Sequence, residues 1–100
     1  MIPKSFFVGG RKYLVKFVDS CEDDLDNSYG QFSMDKHEIT LARTYKDKKE
    51  SKYLSNDDLL ETFLHELGHC FGAYYKDDYS EEFACAFSHF MFEYFKSLEK

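Results

Sequence analysis

The segment His65-Glu66-Leu67-Gly68-His69 places two histidines four positions apart, with a glutamate directly after the first. On a helix, residues four apart lie one above the other, so both imidazoles can bind one metal ion. Glu66 is rotated by about 100° from His65 and can reach a water at that metal without binding the metal itself. In zinc hydrolases the ion lowers the pKa of water and polarises a scissile carbonyl, while a carboxylate accepts the proton. The spacing therefore predicts His65 and His69 as Zn²⁺ ligands and Glu66 as the general base.

A catalytic zinc site requires a third protein ligand and one open position. Four residues further along the chain compete for that place: Tyr75, Glu81, Glu82 and His89. Tyr75 occupies the position of the third histidine of a metzincin, and no long downstream segment with a Met-turn is present, which argues against that class. Glu81 and Glu82 open the next predicted helix, and we favour Glu82 as the ligand. His89 lies about 10 Å beyond Glu82 on that helix and is better explained as a core histidine or as the partner of another group.

Two predicted helices carry these residues. Ser55 is the expected N-cap of the first helix, and Gly72 is the expected C′ residue at which it stops. Ser80 is the expected N-cap of the second helix, which runs to about Leu98. Because the second helix is apolar on nearly every side over residues 83–95, we expect it to be mostly buried or to face a partner, such as a second copy in a homodimer.

The N-terminal half is predicted to form two hairpins. In residues 5–18, two strands flank Gly9-Gly10, a pair that tolerates the positive φ of a tight turn. Residues 29–43 alternate around the turn-forming "DKHE", which is typical of a second hairpin. The acidic "DSCEDDLDNS" and the charged "TYKDKKESKYLS" lack apolar periodicity and are predicted to be a loop and a connection. We therefore predict one α+β domain over residues 1–100, with a small, mostly antiparallel sheet packed on the HExxH helix and a C-terminal helix.

The order of these elements resembles a known family. A hairpin "YGQFSMDKHEITLAR", a linker, a helix "DDLLETFLHELGH" and a helix "SEEFACAFSHFM" are similar to the small zincin-like metallopeptidases of phages and bacteria, which are minimal gluzincins related to the ImmA/IrrE group. The resemblance covers about residues 6–98. It implies a zinc peptidase that hydrolyses peptide bonds, with His65, His69 and Glu82 as Zn²⁺ ligands and Glu66 as general base. In such folds a strand bordering the cleft can pair with an extended peptide substrate, and residues 38–43 are our candidate for that strand.

Other parts of such a site have several candidates. The oxyanion of a tetrahedral intermediate needs a hydrogen-bond donor in addition to zinc. Four side chains are chemically able to donate: Tyr74, Tyr75, Tyr79 and His89. Hydrogen-bond partners are also expected to hold the histidine rings in place. The candidates for this role are Thr62, Asp77 and Asp78.

Charge and composition limit the partners. The chain has 13 Lys and Arg against 19 Asp and Glu, a net charge of −6, so no basic surface is expected for nucleic acid. The N-terminal residues do not resemble a signal peptide, and no apolar run reaches the roughly 20 residues that span a bilayer. These features predict no membrane association and a cytoplasmic location. If the protein is phage-encoded, the predicted location is the host cytoplasm. The three cysteines, Cys21, Cys70 and Cys85, are predicted to be free thiols rather than a disulfide framework or metal ligands.

Two other functions are considered. A protein of the same fold could hold zinc and capture a host or partner protein, through its sheet edge or its aromatic C-terminal helix, without proteolysis. Such a binding module has no need of a general base, and the chain retains Glu66. An acidic decoy for a DNA-binding protein would rest only on the net charge and on "CEDDLD".

Overall fold

The computed structural model describes residues 2–99, which form an α+β fold. The strands are β1 (Ser5–Val8), β2 (Arg11–Ser20), β3 (Gly30–Ser33), β4 (Glu38–Asp47) and β5 (Glu50–Tyr53). The helices are α1 (Cys21–Asp24), α2 (Asn56–Phe71) and α3 (Glu81–Ser97), and a π-helical segment (Gly72–Lys76) follows α2 directly. Helix α2 packs on one face of the sheet, where its apolar side chains meet Ile39 and Leu41 of β4, and α3 packs mainly against α2.

Both predicted hairpins are confirmed. Strands β1 and β2 are antiparallel, and their two-residue turn consists of Gly9 and Gly10 with φ values of 57° and 75°. Such a turn requires positive φ at both central residues, which glycine adopts without strain. Strands β3 and β4 are also antiparallel, with Phe32 opposite Ile39. The local turn chemistry therefore identified these two units correctly.

The two hairpins meet through a parallel pairing that the sequence did not predict. Strand β2 lies parallel to β4, with Phe17 opposite Leu41, so the sheet of residues 2–99 is mixed and has the order β1-β2-β4-β3. The chain reaches β3 from β2 through α1 and the residues that follow it, which places β3 on the far side of β4. The pairings within the hairpins remain antiparallel, as expected.

Strand β4 is at the centre of the sheet rather than at its edge. It pairs with β2 along one side and with β3 and β5 along the other. The prediction that residues 38–43 form the edge strand available to a substrate is therefore wrong, because both sides of β4 already carry a neighbour. The edge strand next to the helices is β3.

Two segments predicted to lack regular structure contain short elements. The charged segment after Arg43 forms the end of β4 and the whole of β5, whose four residues are all exposed. An exposed hairpin shows no apolar alternation, which is why the pattern missed it. The acidic segment contains α1, a single turn capped by Ser20, which buries Cys21 and Leu25 against β4.

Helix α2 begins as predicted but does not end at Gly72. The Ser55 hydroxyl accepts a hydrogen bond of 3.0 Å from the backbone amide of Asp58, as an N-cap does. At the other end, Gly72 is right-handed with φ −59°, and the chain continues through the π-helical segment to Asp77, whose φ is 51°. Gly72 is needed for a different reason, because a Cβ there would collide with the carbonyl oxygen of Asp78.

Helix α3 has the predicted cap but is less buried than expected. The Ser80 hydroxyl accepts a hydrogen bond of 3.1 Å from the amide of Phe83. Only Ala84 and Ser88 of this helix are buried, whereas the aromatic side chains of Phe90 and Tyr94 are exposed. No helix in residues 2–99 has both the length and the apolar character that a bilayer crossing requires.

A Gly72→Ala substitution tests the close contact at the end of α2. We expect the free energy of unfolding to fall by about 1–3 kcal/mol, because the new methyl group forces the Asp78 backbone to move. Urea denaturation followed by circular dichroism measures the loss. Gly68→Ala serves as a graded comparison and should cost less, since its methyl group would lie 3.1 Å from the Ala84 backbone instead of 2.3 Å from the Asp78 oxygen. A Gly72→Ala protein as stable as the wild type would contradict the contact.

Candidate metal centre

A cleft of about 900 Å³ lies between β3, α2 and α3. Its floor is the face of α2 that carries the HExxH residues, one wall is the edge strand β3 with the residues before it, and the other wall is α3. The lining from α2 consists of Glu61, Thr62, His65, Glu66 and His69, and that from α3 consists of Glu81, Cys85, Ser88 and His89. The cleft therefore contains the three HExxH residues and the alternative ligand Glu81, but not Glu82.

The two histidines of α2 point into this cleft together. Their ring centroids are 4.9 Å apart, as expected for residues stacked on successive turns of one helix. Each ring directs its Nε2 atom to the same place, where both atoms meet a carboxylate from α3. The prediction that His65 and His69 face a common point thus agrees with the structure.

The carboxylate that meets the histidines belongs to Glu81. Hydrogen bonds join its Oε2 atom to Nε2 of His65 at 2.8 Å and its Oε1 atom to Nε2 of His69 at 2.9 Å. One ligand atom from each residue lies within 4.8 Å of the other two. Two imidazole nitrogens and one carboxylate oxygen at such distances are a donor set that Zn²⁺ accepts in catalytic sites. The residues present therefore fit the metal that the sequence predicted.

This geometry corrects the choice of Glu82. Residue Glu82 is exposed and does not line the cleft, whereas its neighbour Glu81 bridges the two histidines. The reason is the rotation of α3, which is set by the packing of Ala84 against α2 at Gly68. Glu81 lies three positions before Ala84, about 60° away around the helix, and so faces α2 as well. Glu82 is about 200° away from Ala84 and points away from the cleft.

Glu66 is the buried carboxylate of the cleft. Its exposed fraction is only 9%, and Gly30 of β3 packs against it, because a Cβ at Gly30 would lie 3.2 Å from Cγ of Glu66. Burial raises the pKa of Glu66, although the neighbouring His69 and His65 oppose the rise. Burial also raises the pKa of Glu81, but the neighbouring His69 and His65 lower it by more, so the pKa of Glu81 is lowered overall. The two carboxylates therefore differ in protonation tendency, as a base and a ligand should.

Cys85 contacts the outer side of the His65 ring. A hydrogen bond of 3.9 Å joins its Sγ atom to Nδ1 of His65, on the opposite side of the ring from Glu81. When Nε2 of a histidine binds a metal, Nδ1 carries the proton and can donate it to such a group. The sequence did not indicate this role, because the two residues are 20 positions apart and a lone cysteine has no distinctive spacing.

The residues predicted to hold the histidine rings have other partners. The Thr62 hydroxyl donates to the backbone oxygen of Asp58 at 2.8 Å, although Thr62 lines the cleft. A carboxylate oxygen of Asp78 accepts a hydrogen bond of 2.9 Å from the amide of Ser80, which is the N-cap residue of α3. Asp77 supplies the left-handed residue after the π-helical segment. These three residues therefore stabilise the backbone near the site and do not hold the histidine rings in place.

Of the four oxyanion candidates, only His89 lines the cleft. Tyr74 and Tyr75 belong to the π-helical segment and hold it against the β1–β2 hairpin. The hydroxyl of Tyr74 lies 2.7 Å from that of Tyr13, and the hydroxyl of Tyr75 accepts from the amide of Gly9 at 2.8 Å. Tyr79 precedes α3 and is exposed outside the cleft.

The three cysteines are free, as predicted. Cys70 follows His69 but is rotated by about 100° from it, and its side chain lies in a cluster with Val8 and Tyr13. Burial raises the pKa of its thiol to about 12. A buried thiol with so high a pKa is a packing residue rather than a metal ligand.

Comparison of the chain with models of protein families, with curated proteins and with solved structures gives no match. The chemistry of the cleft therefore has to be inferred from its donor atoms, their distances and their burial.

Alanine substitutions at the two adjacent glutamates test which one binds the metal. We expect Glu81→Ala to lower the affinity for Zn²⁺ by at least about 100-fold, because one of three donors is lost, and Glu82→Ala to change it little. Competition with a zinc-binding dye measures both values. A larger loss in Glu82→Ala would restore the choice made from the sequence.

Substitutions at Cys85 test its contact with His65. We expect Cys85→Ala to lower the affinity for Zn²⁺ about 10-fold, because the Nδ1 atom of His65 loses its partner. Cys85→Ser keeps a polar acceptor and should recover part of the loss. The same dye competition measures both variants. Unchanged affinity in Cys85→Ala would show that the thiol does not position the ring.

Proposed function

We propose that this protein is a zinc-dependent metallopeptidase that hydrolyses peptide bonds. The residues that would hold Zn²⁺ are His65, His69 and Glu81, and Glu66 is the general base. The observation that carries the proposal is the convergence of one carboxylate on the Nε2 atoms of both histidines, at 2.8 and 2.9 Å. Two imidazoles and a glutamate from the following helix are the ligand set of gluzincins, which supports the resemblance of the chain to their minimal, ImmA/IrrE-related members.

Glu66 is suited to proton transfer by its position. When bound, Zn²⁺ supplies a Lewis acid that polarises the scissile carbonyl and makes water acidic near neutral pH. Glu66 is adjacent to His65 in the chain and lines the same cleft, so its carboxylate can accept the proton of the attacking water. The same carboxylate then delivers the proton to the leaving amine. Its burial, which raises its pKa, increases its affinity for the proton that it must hold between these two transfers.

The edge strand β3 supports an extended peptide as the substrate. Its residues Gly30, Gln31 and Phe32 line the cleft, and it pairs with β4 along one side only. The backbone groups on its other side can therefore pair with a peptide strand laid along the cleft. This assignment moves the proposed substrate strand from residues 38–43 to β3.

The burial of Glu66 favours an enzyme over a binding module of the same fold. Moving a carboxylate out of water destabilises a protein unless the group is well paired. A module that only captures a partner would gain stability from a neutral or apolar residue at this place. A carboxylate that accepts and releases a proton, by contrast, requires such an environment.

Three substitutions test the proposal. His65→Ala should remove zinc binding, and Glu66→Gln should retain zinc and the fold but slow peptide hydrolysis by about 10²–10⁴-fold. Glu61→Gln is the matched control, since Glu61 lines the same cleft one turn before His65 but is not part of the donor group formed by the two histidines and Glu81. Hydrolysis is followed by mass spectrometry of a peptide pool prepared from digested cell protein.

The outcomes separate the possible functions. Zinc binding without hydrolysis of any peptide, in the wild type as well as in Glu66→Gln, would favour the binding module. Hydrolysis that persists in Glu66→Gln would assign the base to another residue. A folded wild-type protein that takes up no zinc from a zinc-containing buffer would overturn the proposal as a whole.

A further inference from the structure

Helix α3 carries a stripe of four aromatic residues, of which the first two contact the end of α2 and the last two face solvent. Phe83, Phe87, Phe90 and Tyr94 are separated by four, three and four positions, so they lie in one row along the helix. Phe90 is 69% exposed and Tyr94 is 50% exposed, while Phe83 and Phe87 are partly buried. Exposed side chains of this size in one continuous row mark an interaction surface.

The stripe is extended and stiffened at one end by the last turns of α2. The ring of Phe71 lies 6.0 Å from that of Phe83 and 5.4 Å from that of Phe87, in stacked arrangements. Tyr75 adds a further ring, 5.3 Å from Phe71. Rings that are already held in position lose little conformational freedom when a partner covers them.

This surface is separate from the cleft. The residues of α3 that line the cleft, such as Glu81 and Cys85, lie on the other side of the helix axis from Phe87 and Tyr94. The buried Ala84 lies between the two faces and contacts α2. A partner that covers the aromatic stripe therefore leaves the candidate metal centre open.

We propose that this stripe is the interface of a homodimer, in which two copies of the chain pair through α3. The four-three-four spacing is that of the seam positions of a coiled coil, which are covered by a second helix of the same pattern. In a two-fold dimer the same patch meets itself, so a patch with charges of one sign would repel its copy. The row from Phe83 to Tyr94 is uncharged, although 32% of the chain is charged.

The area of the stripe agrees with a dimer of moderate stability. Phe71, Tyr75, Phe90 and Tyr94 are between 38% and 69% exposed. At about 200 Å² for each large side chain, these residues and their neighbours expose roughly 500 Å² per chain. Two copies would bury about 1,000 Å², which is the lower limit for a specific interface. Dimerisation is therefore expected at micromolar rather than nanomolar concentrations.

The charges of α3 disfavour an anionic lipid surface as the occupant. Helices that bind such surfaces carry Lys and Arg beside the apolar face. Beside the stripe, α3 has the acidic residues Glu82 and Glu93, and its one basic residue besides His89 is Lys96. The ammonium group of Lys96 is already paired with Asp57 at 3.3 Å and with Glu99 at 2.7 Å.

Sedimentation equilibrium of the full chain tests the dimer. The wild type at concentrations between about 5 and 200 μM should approach twice the 11.9 kDa mass of one chain. Phe90→Glu places a charge in the seam and should weaken association by at least about 100-fold. Phe7→Glu is the matched control, because Phe7 is 74% exposed and alternates on β1 with Phe6, which packs on Phe63 of α2, so Phe7 lies on the sheet face away from the helices and its substitution should leave the dimer intact.

Two results would overturn the proposal. One is a wild-type protein that remains at 11.9 kDa at about 200 μM, which would leave the stripe to a different protein partner. The other is a dimer that Phe90→Glu and Phe7→Glu affect equally. Circular dichroism establishes that Phe90→Glu is folded, and Tyr94→Glu replaces it if it is not. Zinc affinity, measured in parallel, should be the same in both variants, so a failure of the dimer and a failure of the metal centre are distinguishable.

Discussion

The close contact between Gly68 of α2 and Ala84 of α3 determines where the groups of the cleft lie. A Cβ at Gly68 would come within 3.1 Å of the Cα of Ala84, so the two helices approach each other as closely as backbone allows. Gly68 lies between His65 and His69 in the sequence of α2, and Ala84 lies about one turn after Glu81 on α3. The contact thus fixes both the separation of the helices and the rotation of α3. A larger residue at either position would carry the Glu81 carboxylate away from both imidazoles.

A second glycine brings the sheet to the same helix. Gly30 allows β3 to lie directly on Thr62 and Glu66 of α2, since a Cβ there would meet their side chains at 2.8 and 3.2 Å. The same approach buries Glu66 and makes β3 a wall of the cleft. Two residues without side chains therefore produce the two properties that the proposed chemistry needs, a converging donor set and a desolvated base.

The features that the sequence predicted correctly depend on residues a few positions apart. The histidine pair needs only helical spacing, the caps at Ser55 and Ser80 need only a hydroxyl before a helix, and the first hairpin needs only Gly9-Gly10. The features that it did not predict depend on distant contacts. The parallel pairing of β2 with β4 and the central place of β4 follow from how the hairpins dock. The choice between Glu81 and Glu82 depends on a rotation of α3 that is set by Gly68, and neither position carries a local sign of it.

The sequence separation of the site residues also has a consequence for the order of assembly. The three donor atoms come from two helices joined by a short connection, with His65 and Glu81 only 16 positions apart. The burial of Glu66 needs Gly30, which lies in the other half of the chain. Contacts between near neighbours in sequence form before contacts that close long loops. The pairing of the two helices therefore closes only a short loop, whereas the burial of Glu66 depends on a contact of much greater sequence separation and entropic cost.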